Sequence, residues 1–301
     1  MPELPEIEHL RRTLEPRLVG RRIAHVEVHR ADVIHAAASA GAAGGRAVSA
    51  AVRRKRLLQG SCIGALRRHG KQLAIIAAPG APILIVQLGM TGQLLFVPGG
   101  RDLYRADHIH VRWRLEGPAP QDRLVFRDPR RFGRLTSVDS LEALEGLWRR
   151  RLGTDALHAR VADLRARLAR MARPIKAALL DQGVLAGIGN IYADEALHRA
   201  RIHPLSRADR LAPSDLKRLA AAIRLTLRQA VNSGGTTLRD YVDSDGRRGR
   251  HPVDLLAYAR SGLPCRRCRT PMEHLRIAQR TTTFCPRCQP ANLSTLHPQR
   301  A

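Results

Sequence analysis

Lysine is almost missing from this sequence. Across 301 residues only Lys55, Lys71, Lys176 and Lys217 carry an amine, yet Lys and Arg together number 52 against 26 Asp and Glu, a formal charge of +26. Arginine is the default cation, in keeping with an Ala/Arg-rich, GC-rich coding bias. Each retained lysine stands out, because only an amine can shed its proton and act as a nucleophile. Acid is scarce as well, and coding bias does not explain a twofold excess of base over acid. The excess points to a polyanionic partner, nucleic acid first. No apolar run approaches the roughly 20 residues of a membrane helix, so a soluble protein without a membrane partner is expected. The opening MPELPEIE has neither the basic n-region nor the apolar h-region of a signal peptide. Export is thereby argued against, and the cytoplasm is the expected compartment.

The length allows two domains, each with its own core. Residues 5–15 read as a helix: Pro5 suits a first turn, Glu6 and Glu8 sit near the positive helix end, Ile7, Leu10 and Leu14 share a face, and Gly20 stops it. From about 21 to 135 the pattern turns to short strands, IAHVEV, QLAIIA, ILIVQL, QLLFV, HIHVRW, RLVF and GRLTSV, bounded by Gly/Pro clusters. That pattern fits a β-sandwich or barrel-like domain. The low-complexity stretch 36–51 reads as a loop insertion or weak strand connection. From about 139 to 240 the period is helical, and GVLAGIGN makes a connection of two tight turns ending in Asn190 as an N-cap. The expected fold is α+β and multidomain. An N-terminal β-sandwich with a leading helix spans 1–137, a helical domain 138–262, a zinc ribbon 263–290 and a frayed tail 291–301, with residues 241–262, polar and Gly-interrupted at first, read as a mobile loop.

Four of the five cysteines form two CxxC knuckles, Cys265/Cys268 and Cys285/Cys288, separated by sixteen residues. Two thiolates from each knuckle complete a tetrahedral S4 site, the zinc-ribbon template. A disulfide pair is the competing reading, but nothing in the sequence argues for an oxidising compartment. With all four positions taken by sulfur, one Zn2+ would be structural and not the catalyst. Cys62 reads as a buried small hydrophobe. Arg280, between the knuckles, is either a solvated hairpin residue or a finger arginine gripping phosphate. Met90 in LGMTG, and Arg130 and Phe132 in DPRRFG, fall on loop tips. They are ordinary core or turn residues, or wedges that fill a base stack once a nucleotide is extruded.

The second residue carries the sharpest chemistry. Removal of Met1 would leave Pro2 with a free secondary amine titrating near 8, against about 10.4 for lysine. Such an amine can attack an electrophilic sugar C1′ and form an iminium. Glu3 and Glu6, three apart, are placed to move protons beside it. Read locally, the same residues also start a helix well.

Together PELPEIE, RRHGKQL, LGMTG, DPRRFG, GIGNIYADEAL, GGTTLRDYVDSDG and a zinc ribbon preceded by AQRTTTF resemble the formamidopyrimidine-DNA glycosylase family, from residue 2 to Cys288. These are base-excision repair enzymes of helix–two-turn–helix fold. The resemblance implies that Pro2 is the nucleophile and that Glu3 and Glu6 support proton transfer. It makes Lys71, rather than Lys55 in RRKRLL, the β-hairpin lysine that touches the DNA backbone and assists catalysis. It makes Met90, Arg130 and Phe132 the void-filling residues, and Asn190 and Arg280 the phosphate clamps, with Lys176 and His108 as further backbone contacts. The partner would be damaged double-stranded DNA, bound by a monomer. Three departures concern the lesion pocket: the longer 36–51 stretch, Gln87 where histidine is common, and Ala259 where glycine is usual. Two other readings stay open. One is the sibling endonuclease VIII type, for oxidised pyrimidines, against which Leu4 in PELPE argues. The other is a non-catalytic zinc-ribbon DNA-binding protein.

Overall fold

The computed structural model describes residues 2–36, 49–100, 107–117, 121–235 and 255–291. They fall into two compact units. One consists mainly of Glu6–Arg150, together with Pro2 and the pair Gly234–Gly235; the other consists of Glu3–Pro5, Arg151–Ser233 and 255–291.

Helix α1 (Leu4–Leu18), longer at both ends than its apolar spacing predicts, belongs to the first unit from Glu6 on. Ile7, Leu10, Leu14 and Leu18 recur at three- and four-residue intervals, so one stripe is buried. Strands β1 (Ile23–Val28) and β2 (Ile34–Ala36) follow, then α2 (Ala50–Arg56), and then β3 (Ile63–His69), β4 (Gln72–Ala77), β5 (Ile83–Gln87), β6 (Gln93–Val97), β7 (Ile109–Leu115), β8 (Arg123–Arg127) and β9 (Arg134–Val138). They form a four-stranded sheet, β1-β7-β8-β6, and a five-stranded sheet, β2-β9-β5-β4-β3. One apolar core takes residues from both sheets and from α1, including Val26, Trp113 and Phe126 from the first and Leu73, Val86 and Leu135 from the second. Two sheets sharing one core make the expected sandwich. Helix α3 (Leu141–Arg151) closes the unit.

All seven anticipated strands are present, and β2 and β3 are additional. Residues 37–48 of the low-complexity stretch lie outside the described residues, but its ends are structured: Ala36 ends β2, and Ala50 and Ala51 open α2 behind the capping hydroxyl of Ser49. Cys62 corrects its expected burial. It is exposed, in a lone bridge to Arg22 where the chain enters β3.

In the second unit, β10 (Thr154–Asp155) pairs in parallel with β11 (Leu185–Ala186), and four helices follow the predicted periods: α4 (Val161–Leu168), α5 (Ile175–Leu180), α6 (Asn190–Ala200) and α7 (Pro213–Asn232). Their apolar faces share a core that also takes in Leu4. Strands β12 (Glu273–Ile277) and β13 (Arg280–Phe284) make the ribbon hairpin. Its two-residue turn, Ala278–Gln279, holds both residues at positive φ without a glycine. Residues 241–254 of the anticipated loop and the tail beyond Ala291 lie outside the described residues.

Candidate active site and metal centre

Pro2 is buried ahead of α1. Glu6, also buried, packs against the backbone of Gly235: a Cβ there would lie 2.9 Å from Glu6 Oε1, and Gly235 holds φ +84°. Lys71 occupies a two-residue turn with Gly70, bracketed by the paired residues His69 and Gln72 of β3 and β4. It is half-buried at a hairpin tip, as its motif requires. Lys55 lies instead in the last turn of α2.

The LGMTG and DPRRFG segments form one assembly. Gly89 has φ +61°, and a Cβ on it would come within 2.5 Å of the Phe132 carbonyl carbon, so only glycine lets the two turns touch. Asp128, fully buried, organises the second turn. Its Oδ2 accepts the Gly133 amide at 2.7 Å, and its Oδ1 accepts the Thr91 hydroxyl at 2.5 Å and the Arg130 amide at 3.2 Å. The carbonyl of His108 accepts the Asp128 amide at 3.0 Å. Met90, His108, Arg130 and Phe132 are thus brought to one group of loops. Phe132 is 52% exposed, and the Arg130 guanidinium lies 4.8 Å from its ring centroid. The guanidinium over the face of this exposed phenyl ring makes a cation–π contact.

In the other unit Glu3 does something its sequence position does not suggest. Its carboxylate accepts the amides of Gly189 at 2.6 Å and Ile191 at 3.0 Å, capping α6 from 186 residues away. Asn190 is therefore not the N-cap. Gly189 holds that place and Asn190 is the first helical residue. A Cβ on Gly189 would fall 2.4 Å from the Glu3 carboxyl carbon, and one on Gly187 would fall 2.5 Å from Leu4 Cδ1. The glycines of GVLAGIGN make room for the Glu3–Leu4 segment.

Asn190 Nδ2 donates to the Thr281 carbonyl at 3.0 Å, which ties the start of α6 to β13 one residue past the exposed Arg280. Lys176, on α5, faces inward. Its side chain is 0% exposed, its Nζ lies 2.6 Å from Asp194 Oδ1, and it also donates to the Thr281 carbonyl at 3.1 Å. Asp194 Oδ2 accepts the Thr283 amide at 3.1 Å. Burial pushes Asp194 up to about 6 and Lys176 down from its ordinary value. Asp194 was missed by sequence reasoning, as was its neighbour Glu195. That carboxylate accepts the successive amides of Leu256, Ala257 and Tyr258 at 2.8–3.1 Å and so fixes the chain entering the ribbon.

The four knuckle sulfurs lie within 4.8 Å of one another, and among the described residues they are the group placed to hold a metal ion. The amides of Arg267 and Cys288 approach Cys265 Sγ and Cys285 Sγ, each at 3.4 Å. His198 Nε2 on α6 stands 3.4 Å from Cys265 Sγ, where an N–H would orient a metal-bound thiolate. The donor set fits one tetrahedral Zn2+ with no open position.

Three family descriptions cover these elements in order. Formamidopyrimidine-DNA glycosylase N-terminal domain matches residues 1–135, formamidopyrimidine-DNA glycosylase H2TH domain matches 152–242, and the zinc finger found in FPG and IleRS matches 262–291. The chain belongs to the formamidopyrimidine-DNA glycosylase family. It is 40% identical over 302 residues to the formamidopyrimidine-DNA glycosylase of Herpetosiphon aurantiacus, covering 96% of this chain and all of that one. It is 43% identical over 280 residues to that of Moorella thermoacetica, covering 92% and 95%. Among solved structures, MutM (FPG) from Thermus thermophilus superposes with a TM-score of 0.79 at 37% identity, covering 97% of this chain and all of that one. A Lactococcus lactis FPG mutant bound to Fapy-dG DNA gives 0.83 at 29%, covering 96% of this chain and all of that one. Family membership accounts for the structural zinc, and no helix among the described residues is long and apolar enough to cross a membrane.

Proposed function

We propose that this chain is a bifunctional DNA glycosylase and AP lyase that removes oxidised purines, 8-oxoguanine and formamidopyrimidines, from duplex DNA. The observation that carries the reading is the Glu3 anchor. Two backbone amides hold that carboxylate, and with it the segment next to Pro2, in one place. Freed of Met1, the Pro2 nitrogen attacks C1′ of the damaged nucleotide. The C1′–N bond to the base breaks and the base departs with a proton; the C1′–O4′ bond then opens as O4′ takes a proton, and the resulting iminium makes the C2′ proton acidic. Loss of that proton expels the 3′ phosphate, and a second elimination expels the 5′ phosphate, leaving a one-nucleotide gap. Glu3 and Glu6 assist proton transfer and Lys71 assists the elimination. Met90, Arg130 and Phe132 occupy the space left by the extruded base, while His108, Asn190 and Arg280 hold phosphates. Zinc shapes the ribbon and takes part in no step. The enzyme acts as a monomer on damaged DNA in the cytoplasm, with domain limits at 1–137, 138–262 and 263–290.

Purines are favoured because solved relatives are described in complex with Fapy-dG DNA and with DNA carrying carbocyclic 8-oxoguanine. Borohydride trapping on a duplex carrying 8-oxoguanine tests the reading. A covalent adduct is expected, and a retained N-terminal tag should abolish it. No adduct with either 8-oxoguanine or thymine glycol would leave only a DNA-binding protein. A stronger adduct with thymine glycol would move the chain to the pyrimidine-acting branch.

A further inference from the structure

The turn that presents Lys71 is fastened on both sides. Arg68, the last residue but one of β3, is 4% exposed, and its Nε donates at 2.9 Å to Oε2 of Glu8, itself 8% exposed. Another nitrogen of the same guanidinium, Nη1, donates at 3.0 Å to the carbonyl of Gly70, the residue before Lys71. On the far side, the Trp148 indole on α3 stacks on His69 with centroids 5.3 Å apart, and its Nε1 donates to Gln72 Oε1 at 2.8 Å. His69 and Gln72 are the two residues that bracket the turn.

Glu8 lies on α1, one helical turn beyond Leu4, or about 6 Å along the axis at 1.5 Å per residue. The same helix is led by Pro2. We infer that the buried Glu8–Arg68 pair is a positioning device that sets the Lys71 turn in register with the helix led by Pro2. The inference rests on the roles given to Pro2 and Lys71 above. Three properties of the pair suit it to this task.

The guanidinium fork serves two acceptors at once, a carboxylate and a turn carbonyl, which the point charge of a lysine cannot do with the same geometry. Glu8 is held in turn by Arg11 and Arg12 of its own helix, so it cannot swing toward Arg68 independently of α1. Glu8 also stays ionised: burial raises its carboxyl, but hydrogen bonds from Arg11, Arg12 and Arg68 outweigh that and bring it to about 2. A two-residue hairpin tip otherwise twists with its strands, and a misplacement of about 1 Å can cost roughly a hundredfold in rate.

The test uses the full-length zinc-loaded protein on a duplex with a preformed abasic site. Single-turnover β-elimination is the rate read, and affinity is taken from a duplex carrying a non-cleavable tetrahydrofuran. Arg68→Lys and Glu8→Gln should each slow elimination by about 10- to 100-fold while affinity changes by no more than about twofold. In a Lys71→Ala background the same substitutions should bring little further loss, because residues acting through one group are non-additive. A full additional loss in that background, or rates within about twofold of the parent, would overturn the positioning role. Should neither polar variant fold, Trp148→Phe keeps the stacked ring and drops the bond to Gln72. It should slow elimination severalfold, again only while Lys71 is present. If Lys71→Ala itself leaves elimination unchanged, the role given to Lys71 fails, and that outcome is distinct from failure of the pair.

Discussion

Two carboxylates in this molecule meet cations at close range, and their proton affinities move in opposite directions. Glu8 is surrounded by three guanidiniums at the edge of the first unit and falls to about 2. Asp194 meets one ammonium deep in the second unit and rises to about 6. Burial is the largest single influence on both. At Glu8 three planar donors outweigh it. At Asp194 a single ammonium and the Thr283 amide do not. Proximity of opposite charges therefore does not decide whether a pair stabilises its ionised form; the number of donors against the depth of burial does. The shallow cluster is a fastener that stays charged. The deep pair is costly to keep, and what it secures is the attachment of β13 to α5 and α6 through the Thr281 carbonyl and Thr283 amide.

Removing one partner from each pair should separate them most. Asp194→Ala leaves Lys176 buried without its ion-pair partner and should cost about 3–5 kcal/mol in denaturant unfolding. Replacing both partners, Lys176→Met with Asp194→Leu, should recover most of that loss. If Asp194→Ala costs no more than a surface substitution, depth of burial is not what distinguishes the pairs. Glu8→Gln should cost less, about 1–2 kcal/mol, because Arg11 and Arg12 can turn to water and Arg68 keeps the Gly70 carbonyl.

The smallest expected effect is in pH dependence. The folded pKa of Glu8 lies below its unfolded value, so the parent's advantage over Glu8→Gln is complete above about 4.5 and drains away as pH falls toward 2. The folded pKa of Asp194 lies above its unfolded value, so the parent should lose ground against Asp194→Asn as pH rises from about 4 to 6. Stability curves of parent and variant across pH 3–7 would show opposite slopes. Parallel slopes would break the comparison.

Much of the fold was legible because period and punctuation carry it. The strands around Met90 and Phe132, strand β4 after Lys71, the helical stretch and the two CxxC knuckles all follow from spacing. Strand β3 was not legible, because IGALRRH ends in three polar residues with no alternation, and the sheet rather than local pattern makes it a strand. Long-range roles were hidden for a different reason. Nothing near Glu3 announces that its partners are the amides of Gly189 and Ile191, and nothing near Lys176 names Asp194 eighteen residues on. One weak signal was present: in an arginine-rich chain, a lysine within IKAALL sits in an apolar run where a charge needs a buried partner. Ala259 also becomes intelligible. It stands at φ +58°, the left-handed conformation that glycine adopts freely, so the expected glycine is a backbone requirement that this chain meets at the expense of strain.

The Glu3 anchor has a consequence for how the protein is made. Its two acceptor bonds close on residues synthesised 186 and 188 positions later. At about 5–20 residues per second, the ribosome needs on the order of 10–40 s to produce them. For that interval the segment beside Pro2 has no cap to occupy and stays within reach of an aminopeptidase. Once α6 exists, Glu3 has its two amide partners. The seat of Glu3, the residue next to Pro2, is thus completed only in the later part of translation.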